Sequence, residues 1–181
     1  TLEGYADRNI ISIDTHQWYR RVGPDESGDP WYSDVLGMDY PPVDRVNMYE
    51  AVIAHEYQHL LHSDYVPGDL LIMNEGFSTF SEYLCGYGVP VGDINYFLAT
   101  PDNSLTEWGD QQGNDNILAD YGQAFMWTAY LNDHFGGPDF LSYYMETGMG
   151  GFEGIQDALD YFGAGLTFDE VFHDWRIANL I

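Results

Sequence analysis

The sequence predicts an α+β protein, a small N-terminal β-sheet followed by a mainly helical domain over residues 43–181. Three observations carry this. Between Asn9 and Trp18, Ile11 and Ile13 alternate with Ser12 and Asp14, the two-residue period of a half-buried strand. From Gly23 to Pro42, four Pro and three Gly interrupt any regular element, so residues 1–42 read as a strand and loop region. After Pro42 the apolar residues recur at helical spacing. A chain of 181 residues with 45% apolar content is one ordinary domain with room for a sizeable core.

The first helix is expected from Val43 or Asp44 to about His62, with Met48, Val52, His55 and His59 along one side and Ile53, Tyr57, Leu60 and Leu61 around the rest. So few polar faces predict a central, buried helix. Pro67-Gly68 breaks the chain, and a second helix is read from about Ile72 to Tyr87. A short helix over Asp93 to Ala99 leads through a polar loop to Ala119-Asp120-Tyr121-Gly122-Gln123. Ala124 to Phe135 is strongly apolar and helical, stopped by Gly136-Gly137-Pro138. Helices over Pro138 to Thr147 and Ile155 to Phe162 follow, and Thr167 caps a last one through Asp169 to Leu180. The single cysteine, Cys85, cannot form an internal disulfide and is expected to be a small buried residue at a helix end. No apolar run reaches the length of a membrane span.

The chemistry lies in His55-Glu56-Tyr57-Gln58-His59 and Asn74-Glu75-Gly76-Phe77. At i and i+4 on a helix, His55 and His59 rise about 6 Å apart and project from nearly one face, so two imidazoles converge on one metal. Catalytic zinc takes three protein ligands and keeps a fourth position open, and Glu75 on the next helix is the expected third donor. His62, one turn beyond His59, is the competing ligand, but three donors along one helix wrap a tetrahedral ion less well than donors from two. Glu56 follows His55 directly and is the expected general base. Glu82 lies seven residues from Glu75, on the same side, and is placed to accept a hydrogen bond from the outer nitrogen of a metal-bound histidine. The zinc-protease pattern with a third histidine on an extended motif is excluded, because His62 and Tyr65 occupy the positions that would need Gly and His.

The run Asn74-Glu75-Gly76-Phe77-Ser78-Thr79-Phe80-Ser81-Glu82-Tyr83-Leu84 resembles the Asn-Glu-Gly-Phe-Ala segment, with its later Glu-Tyr pair, of zinc aminopeptidases in the gluzincin clan. The two motifs together resemble a thermolysin-like or hyicolysin-like gluzincin metallopeptidase, over a core from about residue 46 to residue 135. The resemblance implies a zincin-type catalytic domain that hydrolyses peptide bonds. It also implies that Tyr121, ahead of an apolar helix, is the donor that stabilises the transition state; His134 and His62 are the alternatives, and His16 and His173 are expected to be structural. Fifteen residues separate His59 from Glu75, fewer than in the aminopeptidases, and no Gly-x-Met-Glu-Asn segment for capturing a free amine is present. An endopeptidase acting on proteins or peptides is therefore expected ahead of an aminopeptidase. The reading from another class is a non-catalytic acidic domain, loaded with calcium, whose zinc is structural; an intact Glu56 argues against it.

Thirty acidic residues face five basic ones, all arginine, for a formal charge of −25. Nucleic acid and anionic membranes are repelled by such a surface and are excluded as partners. Either adaptation to concentrated salt or bound calcium would offset the self-repulsion. Candidate calcium loops are Asp25-Glu26-Ser27-Gly28-Asp29 and Asp110-Gln111-Gln112-Gly113-Asn114-Asp115-Asn116, neither with EF-hand spacing. The protease reading, with a chain that opens at Thr1, leads to the expectation of a mature or excised domain of a longer secreted precursor, with a propeptide or neighbouring domains as further partners.

Overall fold

Seven segments of helical periodicity become seven helices among the residues that the computed structural model describes, which are 48–109 and 116–180 together with Ile11 and two short strands. The strands, β1 (Tyr32–Ser33) and β2 (Met38–Asp39), pair antiparallel with Tyr32 opposite Asp39 and Ser33 opposite Met38. The helices are α1 (Met48–Tyr65), α2 (Leu71–Leu84), α3 (Val91–Ala99), α4 (Asn116–Phe135), α5 (Pro138–Thr147), α6 (Gly151–Tyr161) and α7 (Phe168–Ala178).

The expected N-terminal sheet, and with it the α+β class, is corrected: the described chain is mainly helical. Ile11 belongs to no regular element, and the rest of Asn9 to Trp18 lies outside the described residues. The β pairing falls instead in the stretch rich in Gly and Pro that was expected to be loop. Two residues per strand make no layer on which helices could stack. Alternation over the four residues Ile11 to Asp14 is too short a run to establish a strand.

Each helix has a physical start and stop. Pro67 and Gly68 end α1, the glycine taking a positive φ of 79°. α2 stops at Leu84, where Cys85 forms the C-cap and Gly86 turns the chain with a φ of 85°. Cys85 is thus exposed rather than buried, because the helix ends on the surface just where the thiol stands. Pro138 opens α5 and left-handed Gly148 closes it. Thr167 and Glu170 form a reciprocal capping box at the start of α7, as the sequence suggested for Thr167.

The core gathers around α4. Trp127 is fully buried and meets Trp175 of α7 edge to face at 5.2 Å, while Phe97 of α3 stacks on Trp175 at 5.9 Å. α2 and α3 pack most extensively against α4, and α1 packs on α2. The central helix is therefore α4, and the expectation that α1 is buried all round is corrected. Tyr57 is 55% exposed, and Ile53 and Leu61 are exposed beside it. Helical periodicity reports that a residue is apolar; which face is covered is decided by the neighbours.

Two glycines bring the helices that carry the site to close range. A Cβ on Gly76 would collide with Thr128 Oγ1 and stand 2.7 Å from the Ala124 carbonyl oxygen, so α2 touches α4 at this point. A Cβ on Gly122 would collide with the Asp93 carbonyl oxygen, so α4 touches α3 there. Each glycine follows a residue of the candidate site, Glu75 and Tyr121.

Candidate metal centre

One helical turn on α1 sets His55 and His59 side by side, their ring centroids 4.7 Å apart and their planes at 79°. Glu75, in the second turn of α2, faces both: its Oε2 lies 3.3 Å from His55 Nε2 and 3.5 Å from His59 Nε2. Among the described residues these three form the group that could hold a metal ion, with ligand atoms within 4.8 Å of one another.

The fit to a metal rests on two features. Glu75 Oε2 is buried and has no hydrogen-bond partner, although both imidazoles converge on it. An orphaned buried carboxylate oxygen is costly unless a cation completes it. Donor atoms about 2.0–2.2 Å from a tetrahedral zinc would themselves stand about 3.3–3.5 Å apart. The two His–Glu separations, 3.3 and 3.5 Å, match edges of such a tetrahedron.

The outer ring nitrogens are held from behind. His55 Nδ1–H donates to Glu82 Oε1 at 2.9 Å, and Glu82 is only 5% exposed. The sequence expectation for Glu82 is met. His59 Nδ1–H donates to Asn74 Oδ1 at 2.5 Å and lies 2.9 Å from Ser78 Oγ. With Nδ1 carrying the proton in each ring, Nε2 is the atom presented to a metal. Asn74 and Ser78 belong to the second motif, yet sequence reasoning gave them no role. The available signal was spacing: Ser78 lies four residues after Asn74 and three after Glu75, on the side of α2 that carries the candidate ligand.

The charges match a cation site. Burial works against a charged His55 ring, but the carboxylates of Glu75 and Glu82 that face it outweigh burial and raise its pKa to about 9. His59 is also raised, burial again opposing and Glu75 and Asn74 prevailing. Burial would push Glu75 up, yet the two imidazoles facing it bring its pKa down to about 2. The carboxylate stays charged, and protons stand where a metal would compete for the rings.

Glu56 and Tyr121 line a pocket of about 280 Å³ shared with His55, Glu82 and Asp93. Tyr121 sits in the second turn of α4, not ahead of the helix, since α4 begins at Asn116. Its ring centroid is 6.5 Å from that of His55 and 4.9 Å from that of Trp108. Burial, with Glu75, Asp93 and Glu56 nearby, pushes the phenol up to about 12, so it remains a hydrogen-bond donor at neutral pH.

The alternatives stand elsewhere. His62 is fully buried and bonded to Asp69 and Gln58, outside the metal group. His134 lies thirteen residues beyond Tyr121 on the same helix, about 20 Å along its axis, where it stacks on Tyr130. His173 is on α7, its side chain 74% exposed. His16 and the loop Asp25 to Asp29 lie outside the described residues, as does all of Asp110 to Asn116 except Asn116, which opens α4.

Comparison with protein-family models, with curated proteins and with solved structures finds no match for this chain.

Proposed function

We propose that this protein is a secreted zinc-dependent endopeptidase of the gluzincin type, with His55, His59 and Glu75 as metal ligands. The observation that carries the reading is the convergence of His55 Nε2 and His59 Nε2 on the orphaned Glu75 Oε2, at 3.3 and 3.5 Å, with Glu56 and Tyr121 lining the adjoining pocket. No described helix is long and apolar enough to cross a membrane.

Zinc in such a site makes water more acidic and polarises a carbonyl. Glu56 takes the proton from the attacking water and delivers it to the leaving amine. The Tyr121 hydroxyl, kept protonated by its surroundings, donates to the oxyanion that develops on the scissile carbonyl. Glu82 and Asn74 hold the two imidazoles in the tautomer that leaves Nε2 free. A propeptide or adjoining domains of a longer precursor belong to this reading, as does zinc, for which two imidazoles and one carboxylate with an open fourth position are a known catalytic donor set.

The experiment combines metal analysis with two substrate sets, N-blocked peptides and aminoacyl chromogenic compounds. One zinc per chain and faster cleavage of blocked peptides are expected. Faster hydrolysis of the aminoacyl compounds would make the protein an aminopeptidase. Bound zinc with neither activity would leave a structural metal.

A further inference from the structure

The second motif's Ser78 does more than fill space behind His59, because it is the near end of a hydrogen-bonded chain that runs to the opposite end of α1. At the far end stands Asp69, in the connection between α1 and α2, its side chain fully buried. Its Oδ2 accepts from His62 Nε2–H at 2.7 Å and from the Tyr144 hydroxyl at 2.7 Å; its Oδ1 accepts from the backbone N–H groups of Leu70 and Gly151, each at 2.7 Å. A carboxylate so surrounded has no freedom to turn.

The direction of each bond then follows from the last. Asp69 can only accept, so His62 carries its proton on Nε2 and offers Nδ1 as an acceptor. Gln58 Nε2–H meets that Nδ1 at 3.2 Å. With its amide turned this way, Gln58 presents Oε1 to the Ser78 hydroxyl, which donates at 2.5 Å, with the Asn74 carbonyl at 2.9 Å as a second acceptor. Ser78 Oγ therefore turns a lone pair to His59 Nδ1, 2.9 Å away. His62 and Ser78 are both fully buried, which shields the middle of the chain from water, while Gln58 and His59 are partly buried.

We propose that Asp69, His62, Gln58 and Ser78 are positioning residues for His59, a buried chain that fixes the ring's tautomer and angle and thereby sets the affinity of the metal centre. The proposal rests on the reading of His55, His59 and Glu75 as a metal site. It adds to that reading a support that starts outside both motifs, at the junction of α5 and α6 where Tyr144 and Gly151 lie. Asn74 remains bonded to His59 when the chain is cut, so the loss should fall at the lower end of the ten- to hundredfold range for partners of metal-bound histidines.

The test measures zinc affinity by competition with a chelator, alongside the melting temperature of the metal-free protein. Ser78→Ala and Gln58→Leu are expected to weaken zinc binding about tenfold and to alter the visible absorption of the cobalt-loaded protein, while lowering metal-free melting as the loss of any buried hydrogen bond does. His62→Leu and Ser78→Ala do not touch one another, yet their effects on affinity should fall short of additive, because either one cuts the same chain. Tyr144→Phe, which removes only one of the donors to Asp69, should lower melting and leave zinc affinity unchanged. If His62→Leu fails to fold, Ser78→Ala and Gln58→Leu decide the proposal without it. Wild-type affinity in Ser78→Ala and Gln58→Leu, with zinc lost from His55→Ala, would overturn the chain and leave the metal site standing. A wild-type protein that binds no zinc or cobalt would overturn both.

Discussion

Glu75 belongs to the group that could hold a metal ion and is also the counter-charge that raises both imidazoles, which gives the site a pH signature. In the metal-free protein His55 is raised from 6.5 to about 9, so its contribution to stability is complete below about 6.5 and is lost as pH rises through about 9. Glu75 is lowered from 4.5 to about 2, so its contribution is complete above about 4.5 and is lost as pH falls toward about 2. These are two faces of one interaction and are counted once. Chelator-treated protein should therefore melt highest, as far as this site decides it, between about pH 4.5 and 6.5, and lose stability from 6.5 to 9. Melting curves of His55→Ala should show a smaller decline above 6.5, the remainder coming from His59, whose pKa is also raised; an unchanged decline would refute the assignment. His55, His59, Glu75 and Glu82 were legible because a helix converts spacing into direction, and their partners lie one or two turns away or on the next helix. Asn74, Ser78 and Gln58 were not legible as partners, because their bonds depend on how α1 and α2 meet. Cys85 was misread because a small apolar residue at a helix end suits either the core or the rim.

At the scale of elements, the site depends on where α2 and α3 touch α4. Gly122 permits the second contact, and the atom it faces is backbone, which cannot swing away as a side-chain end can. Gly122→Ala should cost about 1–3 kcal/mol of stability through overpacking, displace Tyr121, and lower the rate of hydrolysis while zinc content stays at one per chain. Equal melting temperatures for Gly122→Ala and wild type would contradict the close packing. The helices of the C-terminal half were legible: Pro138, Gly148 and Thr167 mark ends by chemistry that works locally. The start of α4 was not, since Asp120, Gly122 and Gln123 interrupt its apolar residues and the apolar run begins only at Ala124. That misplacement left Tyr121 outside the helix that in fact orients it. The burial of α1 was misjudged for a related reason, because Tyr57 and Leu61 read as core until the neighbours of α1 are known.

Across the whole molecule, the charge of −25 opposes compaction, and packing of the apolar core does nothing to neutralise it. Self-repulsion among so many carboxylates is relieved by screening. Melting temperature should rise with added sodium chloride or calcium, and a melting temperature insensitive to both would assign the acidity to some other cause. The helical class was legible from Met48 onward, where periodicity persists over many turns. The N-terminal sheet was not, because four alternating residues say little about conformation and the pairing of Tyr32–Ser33 with Met38–Asp39 has no apolar alternation to announce it. The most direct test of the whole account is Glu56→Gln, compared with wild type for zinc content and for the rate at which it cuts an unfolded protein. Glutamine keeps the volume and cannot take the proton, so the account predicts one zinc per chain in both proteins and a rate about two to four decades lower in the variant; a zinc-loaded Glu56→Gln that cuts at the wild-type rate would contradict it.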